Sequence, residues 1–487
     1  MNRMNEIIGR NNEKSQLLKI YDSNQPEFLA IYGRRRVGKT FLIRHFFKGK
    51  GLYFELMGQH DSGYHIQLDN FYNALLKTFQ PDIPLKKPEN WKEALSILTV
   101  FIKKFVHDKK IILFFDELPW LATKRSGLLQ ALDYEWNTEW SQIDNLKLIV
   151  CGSASSWILD KLINDKGGLH NRITKIIHLK PFSLKDSVIY LESKGVTLKP
   201  IQRLELYMVM GGIPFYLNQV EQGQSSTQII NSLCFQEEGL LFNEFHRLFR
   251  SLFDEADVHH KIIREIVKKG NNISRQALLE STGHTSGGGF KKKLNELARS
   301  GFIKEFVPYG KKERDYVIKI IDEYTLFFMQ WIEPLQSAYP ILHTNYWLNA
   351  SREPKYRIWS GFAFESVCMK HISQIIRRLN LDSLATGIGR WQFIPPKGSK
   401  EKGAQIDLVI DRFDKSLNVC EIKFASEQYR MSKSDAKNLA NKMKIFELKT
   451  RTKKQIFLTM ITTMGIKKNI WSDDLVDSEV ILSDLFM

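Results

Sequence analysis

Cysteine is scarce: four in 487 residues. Cys151, Cys234, Cys368 and Cys420 stand singly with no CxxC pair, which excludes both a disulfide framework and a zinc ribbon. They are expected to be reduced core residues. Long apolar runs are also lacking. None approaches the roughly 18 residues needed to span a bilayer, and the polar stretch Met1 to Lys14 lacks the apolar core of a signal peptide. The expectation is a cytoplasmic protein with no membrane partner. Low-complexity linkers and internal repeats are missing too. Acidic residues are outnumbered, 54 Asp and Glu against 71 Lys and Arg, for a net charge of +17 that calls for a polyanionic partner. With 43% hydrophobic and 26% charged residues, the chain reads as globular. At about 150 residues per domain its length points to roughly three domains.

Changes of pattern divide the chain into blocks 1–222, 223–340 and 341–487. In the first, short apolar runs (Phe28 to Tyr32, Ile111 to Phe115, Leu146 to Cys151) alternate with helical stretches, the signature of a parallel sheet with crossover helices. The second is largely helical with one hairpin-like stretch, Phe302 to Ile321. The third has a long helix, three strand-like runs and a basic helix, and reads as a separate α/β unit. The fold class is α/β.

Gly33-Arg34-Arg35-Arg36-Val37-Gly38-Lys39-Thr40 fits G-x-x-x-x-G-K-[ST] between a strand and the helical run that starts at Phe41. Glycines at these positions let backbone N–H groups wrap phosphates at a helix N-terminus. Lys39 reaches the β- and γ-phosphates, and the Thr40 hydroxyl holds Mg²⁺. ATP and Mg²⁺ are therefore the expected cofactors. The run Ile111 to Phe115 ends in Asp116 and Glu117, placing Asp116 to bind Mg²⁺ through water and Glu117 to polarise the attacking water. The third run ends in Gly152-Ser153. Ser153 is either a sensor of the γ-phosphate or part of a simple strand-ending turn.

Ile8-Gly9-Arg10 with Glu13, the tri-arginine phosphate loop, Asp116-Glu117-Leu118-Pro119-Trp120, and Gly211-Gly212-Ile213-Pro214 resemble the AAA+/STAND-related P-loop ATPases of the archaeal-type ATPase family. The resemblance covers most of the first block and implies a P-loop NTPase sheet with a helical lid. It places Pro214 near the adenine and makes Arg172 a candidate contact to the γ-phosphate of a neighbouring copy, in a homo-oligomer.

In the middle block, Asp257 to Lys268, the Ser274-capped helix through Glu280, Phe290 to Ala298 and the hairpin Phe302 to Ile321 follow the order of a winged helix-turn-helix. The third helix begins at Gly287-Gly288-Gly289, which has no side chains to read bases. Lys291-Lys292-Lys293 with Lys311, Lys312 and Arg314 offers a sequence-independent grip on DNA phosphates. The alternative is a module that packs as a switch.

In the helix Ile358 to Ile376, the positions Ile358, Phe362, Glu365, Met369, Ile372 and Ile376 are spaced as one face, which puts a carboxylate on an apolar stripe. A Glu buried there needs a metal or a cation beside it. Downstream, Ile406 to Ile410 and Asn418 to Phe424 read as adjacent strands. Alternation puts Glu421 and Lys423 on one face, and a hairpin register makes Asp407 converge on them. Carboxylates and a lysine at one spot are what Mg²⁺-dependent phosphodiester cleavage requires, with Asp407 and Glu421 as metal ligands and Lys423 orienting the nucleophile. The order helix-Glu365, strand-Asp407, strand-Glu421-x-Lys423 resembles the PD-(D/E)xK nuclease superfamily, with Ile406 where the superfamily often has Pro. The resemblance implies a restriction-endonuclease-like domain. Lys442, Lys444, Lys449, Arg451, Lys453 and Lys454 form either a solvated face or a tract for the DNA backbone.

The leading expectation is an ATP-regulated, Mg²⁺-dependent DNA nuclease serving prokaryotic genome defence or DNA processing. The alternatives are an ATPase switch that binds DNA or a protein through a catalytically silent C-terminal domain, and a chaperone-like or transport ATPase.

Overall fold

The computed structural model describes residues 6–81, 84–106, 109–164, 169, 171–284, 287–337, 345–396 and 398–487. The expected boundary between residues 340 and 341 lies outside them. The chain divides into two compact units. The first reaches to Pro181 and takes in the short segments 213–215 and 299–301; the second holds the remainder. Among the described residues no helix is long and apolar enough to cross a membrane.

The first unit is built on β1 (Glu27–Tyr32), β2 (Leu52–Met57), β3 (Ile111–Asp116), β4 (Leu146–Gly152) and β5 (Lys175–His178), all parallel, in the order β2-β3-β4-β1-β5. The continuous apolar runs form the central strands because both faces are covered, and every residue of β3 and β4 is buried. Their main core contains Phe54, Phe71, Trp91, Phe115 and Trp140. A parallel sheet sends all its carboxyl ends to one edge, so Tyr32, Asp116 and Gly152 end side by side there.

In the second unit, helices Ala256–Lys268, Arg275–Thr282 and Gly288–Arg299 accompany a three-stranded antiparallel sheet: β6 (Ile273–Ser274), β7 (Ile303–Phe306) and β8 (Val317–Ile320), ordered β6-β8-β7. Ser274 caps its helix as expected, its Oγ accepting from the Ala277 N–H at 3.2 Å. Further along lies a five-stranded mixed sheet, β9 (Ala385–Phe393), β10 (Ala404–Arg412), β11 (Ser416–Lys423), β12 (Gln455–Thr462) and β13 (Ser478–Ile481), ordered β13-β12-β11-β10-β9. Strands β9, β10 and β11 pair antiparallel, while β12 and β13 run parallel to β11.

Two expectations need correction here. The long helix is two, Pro354–Lys370 and Ile372–Arg378, separated at His371. Its buried face is also not the expected one: Ile358 is 64% and Phe362 60% exposed, whereas Trp359, Ser360, Ala363, Phe364, Val367 and Cys368 are buried. Apolar residues lie on more than one side of the helix, so 3- and 4-residue spacing could be drawn along two neighbouring stripes and selected neither. Glu365 lies at the edge of the buried face. The four cysteines are buried and free.

Candidate functional sites

The phosphate loop is held from beneath. Arg10, in the left-handed region at φ 57, donates to the carbonyls of Lys180 at 2.6 Å and Val37 at 3.1 Å. This ties the sheet edge to the crown of the loop and accounts for the Gly-Arg dipeptide near the start of the sequence. Gly33 is required by space: a Cβ there would lie 2.2 Å from the Leu179 carbonyl oxygen. Gly38 adopts φ 91 at the N-terminus of the helix Lys39–Phe47.

Lys39 donates to the Gly33 carbonyl at 2.9 Å, the Arg34 carbonyl at 3.2 Å and Ser153 Oγ at 3.1 Å. Thr40 Oγ1 donates to Asp116 Oδ2 at 2.7 Å. Asp116 is fully buried. Burial raises its pKa, and the hydrogen bond from Thr40 works against that rise. A hydroxyl and a buried carboxylate beside a phosphate loop form a donor set that fits Mg²⁺. Glu117, at φ 49, accepts from the Ser153 N–H at 2.9 Å and from the Ser153 hydroxyl. Ser153 therefore touches both Lys39 and Glu117.

Arg36 places its guanidinium 4.2 Å from the ring centroid of Phe215, next to Pro214, so that end of the lid reaches the phosphate loop. The Gly211-Gly212 pair has a backbone cause: the Phe182 N–H donates to the Gly212 carbonyl at 2.7 Å, and a Cβ on Gly212 would sit 1.9 Å from the Phe182 carbonyl oxygen. The helix starts two residues before the expected Phe41, which is 40% exposed in its first turn. Arg172 is exposed, its backbone N–H donating to the Leu169 carbonyl at 3.1 Å, and no role follows from these surroundings.

At the second site the β10–β11 pairing ends at Leu408 opposite Cys420, and Asp407 and Glu421 are the next residues beyond that last pair. Asp407 Oδ2 accepts from the Ile422 N–H at 3.0 Å. Glu421 and Lys423 share a face, with Lys423 Nζ donating to Glu421 Oε1 at 2.8 Å. Glu365 also reaches the cluster, though through a residue the sequence reading missed. Arg390 on β9 bonds to Glu365, lies 3.9 Å from Asp407 Oδ1, and donates from Nε to the Asp407 carbonyl at 3.1 Å. The β9–β10 register shifts between Ile406 and Val409, a bulge centred on Asp407 that leaves its carbonyl to Arg390. Lys442, expected on a basic tract, instead points inward and spans both carboxylate oxygens of Glu421 at 2.9 and 2.8 Å.

Burial lifts the Glu365 carboxyl to about 7, with Arg390 opposing and Asp407 adding to the rise. Asp407 is raised by burial and then by Glu421. Among the described residues no group of three or more acids, histidines or cysteines is placed to share one ion. The expected metal ligands Asp407 and Glu421 thus stand as a pair, with Glu365 bound to Arg390. Mg²⁺ commonly takes only one or two protein carboxylates, and the pair fits it on that count.

The basic patches also change. Lys293 is largely covered and pairs with Glu255 at 2.5 Å, so it is not available to DNA phosphates; Lys291, Lys292, Lys311, Lys312 and Arg314 are exposed. Lys449 pairs with Glu401 at 2.6 Å and Lys454 with Asp411.

Residues 7–220 match the model of an ATPase domain found predominantly in Archaea. Residues 328–439, which include Glu365, Arg390, Asp407, Glu421 and Lys423, match a family of archaeal and bacterial proteins of unknown function. An uncharacterized Methanocaldococcus jannaschii protein is 25% identical over 449 residues, covering 91% of this chain and 93% of that one. Among solved structures, a Walker-type ATPase of Pyrococcus abyssi superposes with TM-score 0.48 at 21% identity, covering 67% of this chain and 97% of that one. The Aeropyrum pernix ORC2 protein, seen with ADPNP and ADP, gives 0.41 at 15% identity over 65% and 90%. The phosphate loop, the buried Asp116 and the match to an archaeal ATPase domain make the first unit an ATP-binding P-loop ATPase domain.

Proposed function

We propose that this protein is an ATP-controlled, Mg²⁺-dependent DNA nuclease of prokaryotic genome defence or DNA processing. In this reading residues 1–222 hold nucleotide, 223–340 form a winged-helix module, and 341–487 form a restriction-endonuclease-like domain. The bond from the Ile422 N–H to Asp407, next to Glu421, with Lys423 bonded to Glu421, carries the reading.

At the first site, Lys39 and the loop amides bind the triphosphate, Thr40 and Asp116 hold the cation, and Glu117 takes a proton from the attacking water. Ser153, which contacts both Lys39 and Glu117, transmits the presence of the γ-phosphate to the base. Pro214 lies against the base of the nucleotide, and Arg172 reaches the γ-phosphate of a second copy. At the second site, Asp407 and Glu421 hold the cation while Lys423 orients the water. When bound, Mg²⁺ supplies positive charge to the phosphate oxygens and acidifies a coordinated water.

A specific observation favours the rival reading, a silent C-terminal domain that serves as a binding module: Arg390 and Lys442 already neutralise Glu365 and Glu421. The two readings separate in a cleavage assay on single- and double-stranded DNA with Mg²⁺ or Mn²⁺. The nuclease predicts cutting that is lost in Asp407→Ala and Lys423→Ala while ATPase activity persists. No cutting under any of these conditions supports the silent domain.

A further inference from the structure

The chain passes from the first unit to the second at Phe182 and returns at Ile213, so the helices Leu184–Ser193 and Pro200–Met210, expected as the lid of the nucleotide domain, belong to the second unit. The bond from the Phe182 N–H to the Gly212 carbonyl ties the two crossing points together, and the Tyr207 hydroxyl donates to the Phe182 carbonyl at 3.2 Å. Gly211 ends the helix Pro200–Met210 at φ 59 and ψ −165, a region closed to residues with a Cβ. Such a turn is where a chain can absorb rotation. Four residues on, Phe215 lies against Arg36 of the phosphate loop.

Behind this turn the lid helices are fastened to the helix that carries Glu365. The Leu184 N–H donates to His371 Nε2 at 3.0 Å, so that nitrogen is an acceptor and the ring proton sits on Nδ1, which donates to the Val367 carbonyl at 2.8 Å. His371 is buried, its ring edge-on to Tyr207 at 5.6 Å between centroids. The preceding residue, Lys370, donates to Glu323 Oε2 at 2.6 Å. Glu323 is buried too, and a Cβ on Gly211 would lie 2.8 Å from the same Oε2. Its Oε1 has no hydrogen-bond partner among the described residues, which leaves Lys370 as the cation that answers its charge. Near the other end of the helix Pro354–Lys370, the Tyr356 hydroxyl donates to Glu205 Oε1 on the helix Pro200–Met210 at 3.2 Å.

These contacts join all three blocks of the sequence: Leu184, Glu205 and Gly211 from the first, Glu323 from the second, and Tyr356, Lys370 and His371 from the third. Apolar packing alone lets helices slide by fractions of a turn. Directional bonds at both ends of one helix do not, because a slide leaves a buried donor or carboxylate unpaired. Glu365 lies five residues before Lys370, between the two points of attachment.

We propose that the lid helices and the helix Pro354–Lys370 form one lever that turns at Gly211-Gly212. His371 and the Lys370–Glu323 pair are positioning residues within it, and nucleotide at the phosphate loop thereby shifts the helix that bears Glu365. This supplies the means of regulation in the ATP-controlled reading and rests on that reading for what the movement serves.

The test is hydrogen exchange, followed by mass spectrometry, on peptides covering residues 354–378 of the full chain saturated with ADP or with a non-hydrolysable ATP analogue. In the wild type the exchange rates should differ between the two states by about fivefold or more, the usual scale of coupling between sites. His371→Phe keeps a ring but cannot accept from Leu184. The double variant Glu323→Gln with Lys370→Met removes the ion pair without stranding a buried charge. Each should reduce the difference to less than about twofold, while Lys370→Arg and the exposed Arg357→Met should preserve it. Thermal melts and nucleotide binding confirm folding, and if either junction variant fails to fold, Tyr356→Phe replaces it and should also shrink the difference. A wild-type difference in the junction variants, an equal loss in Arg357→Met, or no difference in the wild type overturns the inference. DNA cutting is scored separately. A wild type that shows the exchange difference but never cuts refutes the nuclease and leaves the lever, whereas cutting that follows nucleotide without the exchange difference refutes the lever and leaves ATP control.

Discussion

Thr40 and Asp116 meet across the edge of the parallel sheet, hydroxyl to carboxylate at 2.7 Å, although 76 residues separate them in sequence. One comes from the start of a helix and the other from the end of β3, so the pair exists only when phosphate loop and sheet are assembled.

For that reason the nucleotide site can be dissected. Lys39→Ala should abolish binding of a fluorescent ATP analogue. Glu117→Gln should bind the analogue normally and lower ATP turnover by about 100-fold or more, the usual worth of a positioned base. Normal hydrolysis by Glu117→Gln would move the base elsewhere.

Gly33→Ala should cost at least about 2 kcal/mol in urea unfolding of the first unit, because the new Cβ would have to displace a backbone carbonyl rather than a side chain. Nucleotide binding should fall with it. An alanine variant of native stability would show that the loop relaxes.

Arg390→Met should destabilise the chain by about 3–5 kcal/mol, since it strands the largely buried Glu365 without its cation. The double variant with Glu365→Gln should recover most of the loss. A double-mutant cycle in urea measures the coupling, and additive losses would contradict the pairing.

Glu333 sets an acid limit on stability. Burial opposes its charge, but hydrogen bonds from His260 and Arg264 outweigh burial and hold its carboxyl at about 2, below the ordinary 4.5. Between those values the unfolded chain binds the extra proton, so stability is full above about pH 4.5 and falls as pH drops toward about 2. Urea midpoints across that window should show the fall, and Glu333→Gln should flatten it. An unchanged slope in Glu333→Gln would assign the acid limit to other groups.

Legibility in the sequence followed burial. β1, β3 and β4 are near-continuous apolar runs because their strands are covered on both faces, and each was readable with the glycine or acid that follows or ends it; β10 and β11 were readable from the apolar residues on either side of Asp407 and Glu421. The hairpin spacing then sufficed to bring Asp407 to the strand that carries Glu421, where it accepts from the Ile422 N–H. Arg390 was not readable. Its strand, Ala385 to Phe393, contains two glycines, at 387 and 389, that broke the pattern, and one of them is there to admit Tyr309. The helix bearing Glu365 misled because it is apolar on two adjoining stripes, and only tertiary packing chose between them.

If nucleotide at the first site governs phosphodiester cleavage at the second, as proposed, DNA cutting must follow the nucleotide state. The most direct test is the initial rate of DNA cutting in Mg²⁺ by the wild type with ATP, with ADP and without nucleotide, beside Glu117→Gln and Asp407→Ala. The prediction is cutting that depends on nucleotide, persists but loses its ATP-to-ADP transition in Glu117→Gln, and vanishes in Asp407→Ala with ATP hydrolysis intact. Cutting at one rate in all nucleotide states, or cutting that survives Asp407→Ala, would contradict it.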